Sequence, residues 1–376
     1  IKAHGNSSVR ALRNAIRAAR TAIEQNINTR IVEAMQPFMK KSLRDIPPKL
    51  SRSASIIGTG SYVPDRVLTN ADLESMVETS DQWIVERTGI RERRLAADTE
   101  FTSHMAAKAA QAAMENAGVK PEEIDLILVG TVTPDNFFPS TACHVQRLIG
   151  AKNAACLDVS AACSGFLYCL EIAHQFIASG TNETILVIGA DKLSSIVNWI
   201  DRNTCVLFGD GAGAAILRHR PGSRGVVTTY MGSDGNLADI LHMPGGGCAC
   251  PTSVENIDQK LNTLHMNGRE TYKQAVTSMM RAAGVVLERC GITAHDIACV
   301  IPHQANLRII EAMADRLEVP MSQFHINLDK CGNTSAAAVA IALDEAARTG
   351  RFEAGDFLLL VVFGGGLTYA SSVIEW

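Results

Sequence analysis

LDVSAACSGFLYCLEIAHQFIASG, residues 157–180, is the stretch on which the fold prediction depends, because the chain echoes it later. Residues 328–350 read LDKCGNTSAAAVAIALDEAARTG, a shift of 171 (328 − 157). Upstream, EEIDLILVGTVTPDN resembles HDIACVIPHQANLRI, and downstream ETILVIGADKLS resembles DFLLLVVFGGGLT. Three similar segments in one order indicate two copies of one α/β unit. Chance similarity between alanine-rich helices is the alternative.

Strand-like and helix-like segments alternate from Ile56 to the end of the chain. ASIIGTGSYV and DLILVGTV are short and apolar, as strands are, whereas residues 102–117 have a helical pattern. This alternation predicts an α/β fold with a largely parallel sheet covered by helices. Together with the repeat, it divides the chain into an extension with a linker (1–50), a first half (51–222) and a second half (223–376).

Composition excludes several classes of protein. The 376 residues are 47% hydrophobic and 20% charged, which is ordinary for a globular protein, and the net charge of −4 argues against nucleic acid as the main partner. No apolar run approaches the ~18 residues typical of a membrane span. The ten cysteines are unpatterned, which favours reduced thiols in an intracellular protein. Cys248 and Cys250 lack a second ligand pair, so we predict no metal site there.

The first fifty residues are basic, with ten Lys and Arg against three Asp and Glu. Five apolar side chains share one face at helical spacing: Val9, Leu12, Ile16, Ala19 and Ile23. A second short helix is expected near Asn28, followed by the linker DIPPKLSRSAS. Such a segment is typical of an organellar transit peptide. However, residues 1 to about 36 also resemble the C-terminal strand and helix of bacterial phosphate acyltransferase, which would make them part of a fusion, and we favour this interpretation.

Cys163 stands among Ser, Ala and Gly directly before a predicted amphipathic helix. A thiol at a helix N-terminus lies at the positive end of the helix dipole, so we expect a lowered pKa for Cys163. The small neighbours leave room for a bulky electrophile. The alternative is a buried structural cysteine.

Two further candidates, His303 and Asn333, lie in the second copy of the repeat. Taken alone, His303 in PHQAN is as consistent with a buried core histidine as with a catalytic one. Asn333 in CGNTS, taken alone, is consistent with a residue that caps the following helix. Because Cys163, His303 and Asn333 stand at related strand–helix junctions, the repeat predicts that they converge where strands end, the edge at which α/β sheets bind ligands.

Two glycine clusters allow close approach of backbones, FGDGAGAAIL at 208–217 and FGGGLT at 363–368. The second cluster follows an apolar strand and could supply N–H donors to an oxyanion. A nucleotide-binding loop at 208–217 is disfavoured, because the spacing is not GxGxxG and a strand-like segment follows.

Six stretches after the extension match a known family: TSDQWIVERTGIRERR, DVSAACSGF, DRNTCVLFGDGAGAA, PHQANLRII, LDKCGNTSAA and VVFGGGLT. On these motifs, residues about 54–376 resemble β-ketoacyl-acyl-carrier-protein synthase III, the condensing enzyme that initiates type II fatty acid synthesis, in the thiolase superfamily. The resemblance implies a thiolase-like fold in which the duplicated α/β halves form a layered αβαβα arrangement. It also implies decarboxylative Claisen condensation of a short acyl-CoA with malonyl-acyl carrier protein through an acyl-cysteine.

The resemblance further implies a set of site residues. It places the nucleophile on Cys163 and the decarboxylation residues on His303 and Asn333, where elongating relatives have a second His. Backbone N–H groups of Cys163 and Gly365 would form an oxyanion hole. The remaining implied contacts are Trp83, Arg87 and Arg202 with coenzyme A, Asn306 with the malonyl group, Phe138 with the acyl pocket of a partner subunit, and Arg308 with acyl carrier protein.

Partners and location also follow from the resemblance. It implies a cytoplasmic homodimer that needs neither a metal nor a redox cofactor, with organellar import as the alternative. Two other functions stay open, a related acyltransferase that forms an ester or amide without decarboxylation, and a non-catalytic partner that binds acyl carrier protein. The loop PGGGCACPTSVEN, residues 244–256, is longer than in compact members, so the preferred acyl chain length is not implied.

Overall fold

The computed structural model describes residues 13, 14, 16, 17, 20 and 21 and residues 52–376. By its internal contacts the chain divides into two compact units, residues 1–49 and 50–376. The described residues of the first unit are helical, in agreement with the helix predicted there. The other four residues of the predicted apolar face, the second short helix and most of the linker lie outside the described residues.

The second unit is built from strands and helices in alternation. The strands are β1 (Ala54–Tyr62), β2 (Arg66–Thr69), β3 (Glu92–Leu95), β4 (Leu126–Gly130), β5 (Ala155–Val159), β6 (Thr184–Lys192), β7 (Asp210–His219), β8 (Val226–Ser233), β9 (Leu241–His242), β10 (His265–Met266), β11 (Cys299–Pro302), β12 (Phe357–Gly364) and β13 (Thr368–Glu375). The helices are α1 (Asn70–Glu74), α2 (Asp81–Thr88), α3 (Thr102–Ala117), α4 (Thr141–Ile149), α5 (Gly165–Ala178), α6 (Val254–Asp258), α7 (Gly268–Cys290), α8 (Leu307–Leu317), α9 (Leu328–Cys331) and α10 (Ala337–Arg348).

Two sheets form the framework, one in the order β1-β7-β6-β4-β5 and the other in the order β11-β12-β13-β8. Strand β4 is parallel to β5 and β6, and β11 is parallel to β12, whereas the other four pairs of neighbours are antiparallel. The prediction of a largely parallel sheet is therefore wrong. Parallel neighbours need a crossover connection, usually a helix, but β12 is joined to β13 by a short turn and β6 to β7 without an α-helix.

The layers follow from which faces are apolar. Helices α5 and α10 lie between the two sheets in one continuous apolar core. Helices α3 and α4 cover the outer face of the first sheet, and α7, with α8 against it, covers the second. This is the layered αβαβα arrangement that the family resemblance implied. The predicted boundary at 222/223 falls between β7 and β8, and the division into two halves stays a prediction.

Close backbone packing brings the second half onto the first sheet. A Cβ on Gly189 of β6 would lie 2.2 Å from the carbonyl oxygen of Ala336, so only glycine lets the start of α10 lie this close to β6. The segment that carries Asn333 is thereby held beside the carboxyl end of β6. None of the helices in the described part of the chain is long and apolar enough to cross a membrane.

Candidate active site

Cys163 lies in a short 3₁₀ turn, Ala162–Ser164, directly before α5. Ala162 has a φ of 46°, a left-handed conformation that costs energy for a residue with a Cβ and that clusters at functional sites. Cys163 is buried, with 6% of its surface exposed. It nevertheless lines two cavities, one of about 820 Å³ and one of about 290 Å³. The sulfur-bearing residue therefore stands where two cavities meet.

The larger cavity brings together the three residues that the repeat predicted to converge. Cys163 comes from the first half, and His303 and Asn333 come from the second, and all three line this cavity. The smaller cavity is mainly apolar, with Leu193, Ile196 and Leu264 among its lining residues. This arrangement suits a nucleophile that receives an acyl chain on one side and polar substrate groups on the other.

His303 follows β11 and is nearly enclosed. Its backbone N–H donates to the carbonyl oxygen of Val361 at 2.7 Å, which fixes the residue to β12. Its Nδ1 atom is buried and has no hydrogen-bond partner among the described residues. Burial lowers the pKa of His303 to about 4. The imidazole is therefore neutral near pH 7, and a neutral ring can donate one hydrogen bond into the cavity.

Asn333 is held by both its backbone and its side chain. Its N–H donates to Leu207 O at 2.8 Å, and its carbonyl oxygen accepts from Gly209 N at 3.0 Å. Its Oδ1 accepts from the backbone N–H of Ser335 at 2.9 Å. Because Oδ1 is occupied in this way, the Nδ2 group is left to donate into the cavity. The residue at the N-cap of α10 is Ala336, so the interpretation of Asn333 as that helix's cap is wrong.

The expectation of a lowered pKa for Cys163 is also wrong. Burial raises the pKa of the thiol, a hydrogen bond with Ser335 lowers it and the Asp191 carboxylate raises it, so that the net pKa is about 12. The sequence could not reveal this, because the enclosure of the sulfur arises from segments distant in the chain. The sulfur is therefore a protonated thiol at neutral pH before substrate binds.

Trp83, Arg87 and Arg308 line the mouth of the larger cavity, and Arg202 lies beside Trp83 without lining it. The Trp83 ring is flanked by two guanidinium groups, Arg87 at 4.7 Å and Arg202 at 4.8 Å from its centroid. Asn306 donates from Nδ2 to Arg87 O at 3.0 Å, and its Oδ1 accepts from Arg308 N at 2.9 Å. Asn306 therefore caps α8 and ties it to α2 at the cavity mouth, with both ends of its amide engaged.

Two family models match this chain, 3-oxoacyl-[acyl-carrier-protein (ACP)] synthase III over residues 157–235 and the C-terminal model of the same family over residues 287–376. A β-ketoacyl-[acyl-carrier-protein] synthase III of Caldanaerobacter subterraneus subsp. tengcongensis is 55% identical over 324 residues, covering 86% of this chain and 98% of the relative. The chain belongs to the β-ketoacyl-[acyl-carrier-protein] synthase III family.

Other members of the synthase III family agree with this assignment. One from Clostridium acetobutylicum is 49% identical over 86% of this chain and 99% of the relative. The crystal structure of 3-oxoacyl-[acyl-carrier-protein] synthase III from Aquifex aeolicus superposes with a TM-score of 0.80 at 46% identity, over 86% of this chain and 100% of that one. The thiolase-like fold predicted from the motifs is thereby confirmed.

Three residues predicted for the synthase III site do not line the large cavity, and these are Arg202, Phe138 and Gly365. Phe138 is 86% exposed and lines a separate surface cavity of about 750 Å³ that does not include Cys163. Gly365 lines the smaller cavity, while its neighbour Gly364 lies closer to the nucleophile, since a Cβ there would be 2.6 Å from Cys163 N. The close approach of this glycine turn to Cys163 agrees with the predicted use of its backbone.

The structure also decides one other motif and adds residues that the sequence did not single out. Residues 210–219 form β7, which rules out a nucleotide-binding loop there. No group of three His, Cys, Asp or Glu that could hold a metal occurs among the residues described. Phe363, at the end of β12, lines the large cavity, and Ser335 lines the small one. The three glycines directly after Phe363 were the only sequence feature that could have indicated a role for Phe363 in the site.

Proposed function

We infer that this chain is a β-ketoacyl-[acyl-carrier-protein] synthase III, an acyl-transferring condensing enzyme, and we propose that Cys163, His303 and Asn333 carry its reaction. The observation that supports these roles is their convergence on one cavity of about 820 Å³ from two halves of the fold. A nucleophile that faces two neutral hydrogen-bond donors suits acyl transfer followed by enolate formation.

In the first half-reaction, Cys163 attacks the thioester carbonyl of a short acyl-CoA. The new S–C bond forms first and gives a tetrahedral oxyanion, which then collapses as the bond to the coenzyme A sulfur breaks, and the thiol proton leaves with coenzyme A. Backbone N–H groups of Cys163 and Gly365 hold the oxyanion between these events. Because burial holds the pKa of the free thiol at about 12, ionisation accompanies substrate binding rather than preceding it.

In the second half-reaction, malonyl-acyl carrier protein enters the larger cavity. The ring N–H of His303 and the Nδ2–H of Asn333 donate to its thioester oxygen. Loss of carbon dioxide leaves an enolate, which these two donors stabilise, and its carbon attacks the acyl-cysteine. The C–S bond to Cys163 breaks, the thiolate takes up a proton, and 3-ketoacyl-acyl carrier protein is released. Since carbon dioxide loss generates the nucleophile, the reaction needs neither a metal nor a redox cofactor.

The cavity mouth supports the proposed substrate contacts. Trp83 offers an aromatic face and Arg87 and Arg202 offer positive charge, which suits the adenine and phosphate groups of coenzyme A. Arg308 at the start of α8 is suited to the acidic surface of acyl carrier protein. Asn306 orients the malonyl arm only if substrate displaces one of its present hydrogen bonds.

A homodimer is supported by the edge of the first sheet. Strand β5 is an edge strand, and exposed edges pair readily with a second copy. Phe137 and Phe138, which precede β5 in the chain, have 87% and 86% of their surface exposed. Large exposed aromatic patches mark interaction surfaces, so we propose that Phe138 enters the acyl cavity of a partner subunit. A cytoplasmic location accords with the bacterial origin of the relatives.

The function is tested with acetyl-CoA and malonyl-acyl carrier protein carrying a labelled carboxyl group. We expect labelled carbon dioxide and 3-ketobutyryl-acyl carrier protein in equal amounts from the wild-type chain. Cys163→Ala should give no product, and His303→Ala should acylate without releasing carbon dioxide. Transfer of the acetyl group without carbon dioxide release would favour the non-decarboxylating acyltransferase, and failure to acylate would favour the non-catalytic partner.

A further inference from the structure

Asp191 is a fully buried carboxylate beside the candidate active site that the reaction steps above do not use. It lies near the end of β6 and has no exposed surface. A buried charge is costly unless it is paired or hydrogen-bonded, so the partners of Asp191 indicate what it is for. It is close enough to Cys163 for its negative charge to act on the thiol.

One carboxylate oxygen holds a loop of the first half. Oδ1 accepts from the backbone N–H groups of Val132 at 2.8 Å and Thr133 at 3.1 Å. It also accepts from the hydroxyl groups of Thr131 at 2.9 Å and Thr133 at 2.8 Å. Backbone N–H groups can only donate, so this oxygen acts as an acceptor, as the oxygens of an ionised carboxylate do.

The other oxygen holds the turn of the second half that carries Asn333. Oδ2 accepts from the backbone N–H of Ala336 at 3.2 Å. The hydroxyl of Ser335 is near enough to both Asp191 and Cys163 to lower the pKa of each side chain. Ser335 has a φ of 54°, a left-handed conformation that needs outside support, and its own N–H donates to Asn333 Oδ1. The carboxylate therefore reaches the Asn333 amide through one residue.

We propose that Asp191 is a positioning residue for the second half-reaction, which joins the two halves of the fold and fixes the Ser335–Ala336 turn so that Asn333 donates to the malonyl thioester beside Cys163. This rests on the proposed function of Asn333. The carboxylate itself touches neither substrate. Burial raises the pKa of Asp191, and the N–H and hydroxyl donors around it lower that pKa. In its ionised form the carboxylate opposes ionisation of Cys163 while it secures the geometry needed for decarboxylation.

The test is Asp191→Asn, which keeps the shape of the side chain but places an NH₂ group against N–H donors in either orientation. We expect malonyl decarboxylation by the acylated enzyme to fall by up to about 10²-fold, the loss typical of a displacement of about 1 Å in a catalytic group. Alkylation of Cys163 by iodoacetamide at pH 7 should become severalfold faster, because the neighbouring negative charge is gone. A merely structural role would slow acylation by acetyl-CoA as much as decarboxylation, whereas a positioning role in the second half-reaction leaves acylation near the wild-type rate.

Asp344→Asn is the matched control. Asp344 is also a buried carboxylate that links α10 to the first half, since it accepts from the hydroxyl groups of Thr59 at 2.8 Å and Ser61 at 2.7 Å, but it lies outside both cavities beside Cys163. This variant should lose stability without changing the alkylation rate or the ratio of the two half-reactions. A change in that ratio equal to the change in Asp191→Asn would overturn the proposal.

A second variant covers the case in which Asp191→Asn does not fold. Ser335→Gly suits the left-handed backbone and removes the whole side chain, including the hydroxyl group near Asp191 and Cys163. It should decarboxylate more slowly and alkylate more slowly than wild type, and wild-type rates in both assays would refute the proposal. If instead the wild-type enzyme itself neither acylates nor decarboxylates, the proposed function is at fault rather than the role of Asp191.

Discussion

Replacing Asn333 in two ways separates its side-chain donor from its role in local structure. Asn333→Ala removes both the Nδ2 donor and the Oδ1 acceptor of the 2.9 Å bond from Ser335 N, whereas Asn333→Asp removes the donor but keeps the acceptor. The backbone bonds to Leu207 and Gly209 survive in both variants, since they involve only main-chain atoms. Both variants therefore lack the Nδ2 donor, but only Asn333→Asp keeps the hydrogen bond that supports the turn at Ser335.

The size of the effect follows from the role of the lost group. Loss of one donor to a developing oxyanion typically costs about 10²–10³ in rate. We therefore expect carbon dioxide release from malonyl-acyl carrier protein to fall by about 10²–10³ in Asn333→Ala, and by at least as much in Asn333→Asp, where a negative oxygen faces the enolate. Acylation by acyl-CoA should stay within about threefold of wild type in both, since that step uses the oxyanion hole at Cys163.

The assay measures the two half-reactions separately, acylation by intact-protein mass and decarboxylation by release of labelled carbon dioxide. If Asn333→Asp decarboxylates at nearly the wild-type rate while Asn333→Ala does not, then the bond to Ser335 matters and the Nδ2 donor does not. Equal losses in acylation and decarboxylation would likewise refute the division of labour between Cys163 and Asn333.

Three further predictions concern the stability contribution of His303, the contact of Trp83 with coenzyme A and the structural role of Arg93. The folded pKa of His303 is about 4 and the unfolded value is near 6.5, so its contribution to stability is complete above pH 6.5 and is lost as the pH falls toward 4. Urea unfolding at pH 7 and pH 5 should show a larger loss for wild type than for His303→Asn, and equal losses would contradict this. Trp83→Ala should raise KM for acyl-CoA several-fold and leave decarboxylation by pre-acylated enzyme unchanged, as measured by steady-state and single-turnover kinetics; an unchanged KM would count against a coenzyme A site there. Arg93, whose buried guanidinium donates to Asn70 Oδ1 and Val206 O, supports the segment that holds Asn333. Arg93→Met should lower the free energy of unfolding by about 1–3 kcal/mol because those acceptors lose their donor, and an unchanged urea midpoint would refute it.

The convergence of Cys163, His303 and Asn333 on one cavity could be predicted because each residue lies in a local pattern. Cys163 and Asn333 stand before the two helices of the repeat, α5 and α10, and His303 directly follows β11, so the repeat alone places them at related junctions. The glycine turn after β12 was equally visible, because three consecutive glycines after an apolar strand allow close backbone contact with Cys163.

Other features depend on contacts between distant segments and could not be predicted. The mixed strand directions arise from direct β12–β13 and β6–β7 connections, which the alternating pattern does not distinguish from crossovers. The pKa of Cys163 is set by enclosure and by Asp191, 28 positions away (191 − 163). Similarly, no local pattern shows that the Asn306 amide is tied to Arg87 O or that Asp191 reaches Ala336.

The central claim is that Cys163 holds the acyl group which the enolate then takes, and one measurement addresses it directly. Purified enzyme is incubated with acetyl-CoA, its intact mass is recorded, the modified peptide is mapped, and malonyl-acyl carrier protein is then added. We predict one acetyl adduct per chain on the peptide that contains Cys163, which disappears on addition of malonyl-acyl carrier protein in wild type but persists in Asn333→Ala. An adduct on another residue, or an adduct on Cys163 that malonyl-acyl carrier protein does not discharge in wild type, would contradict the account.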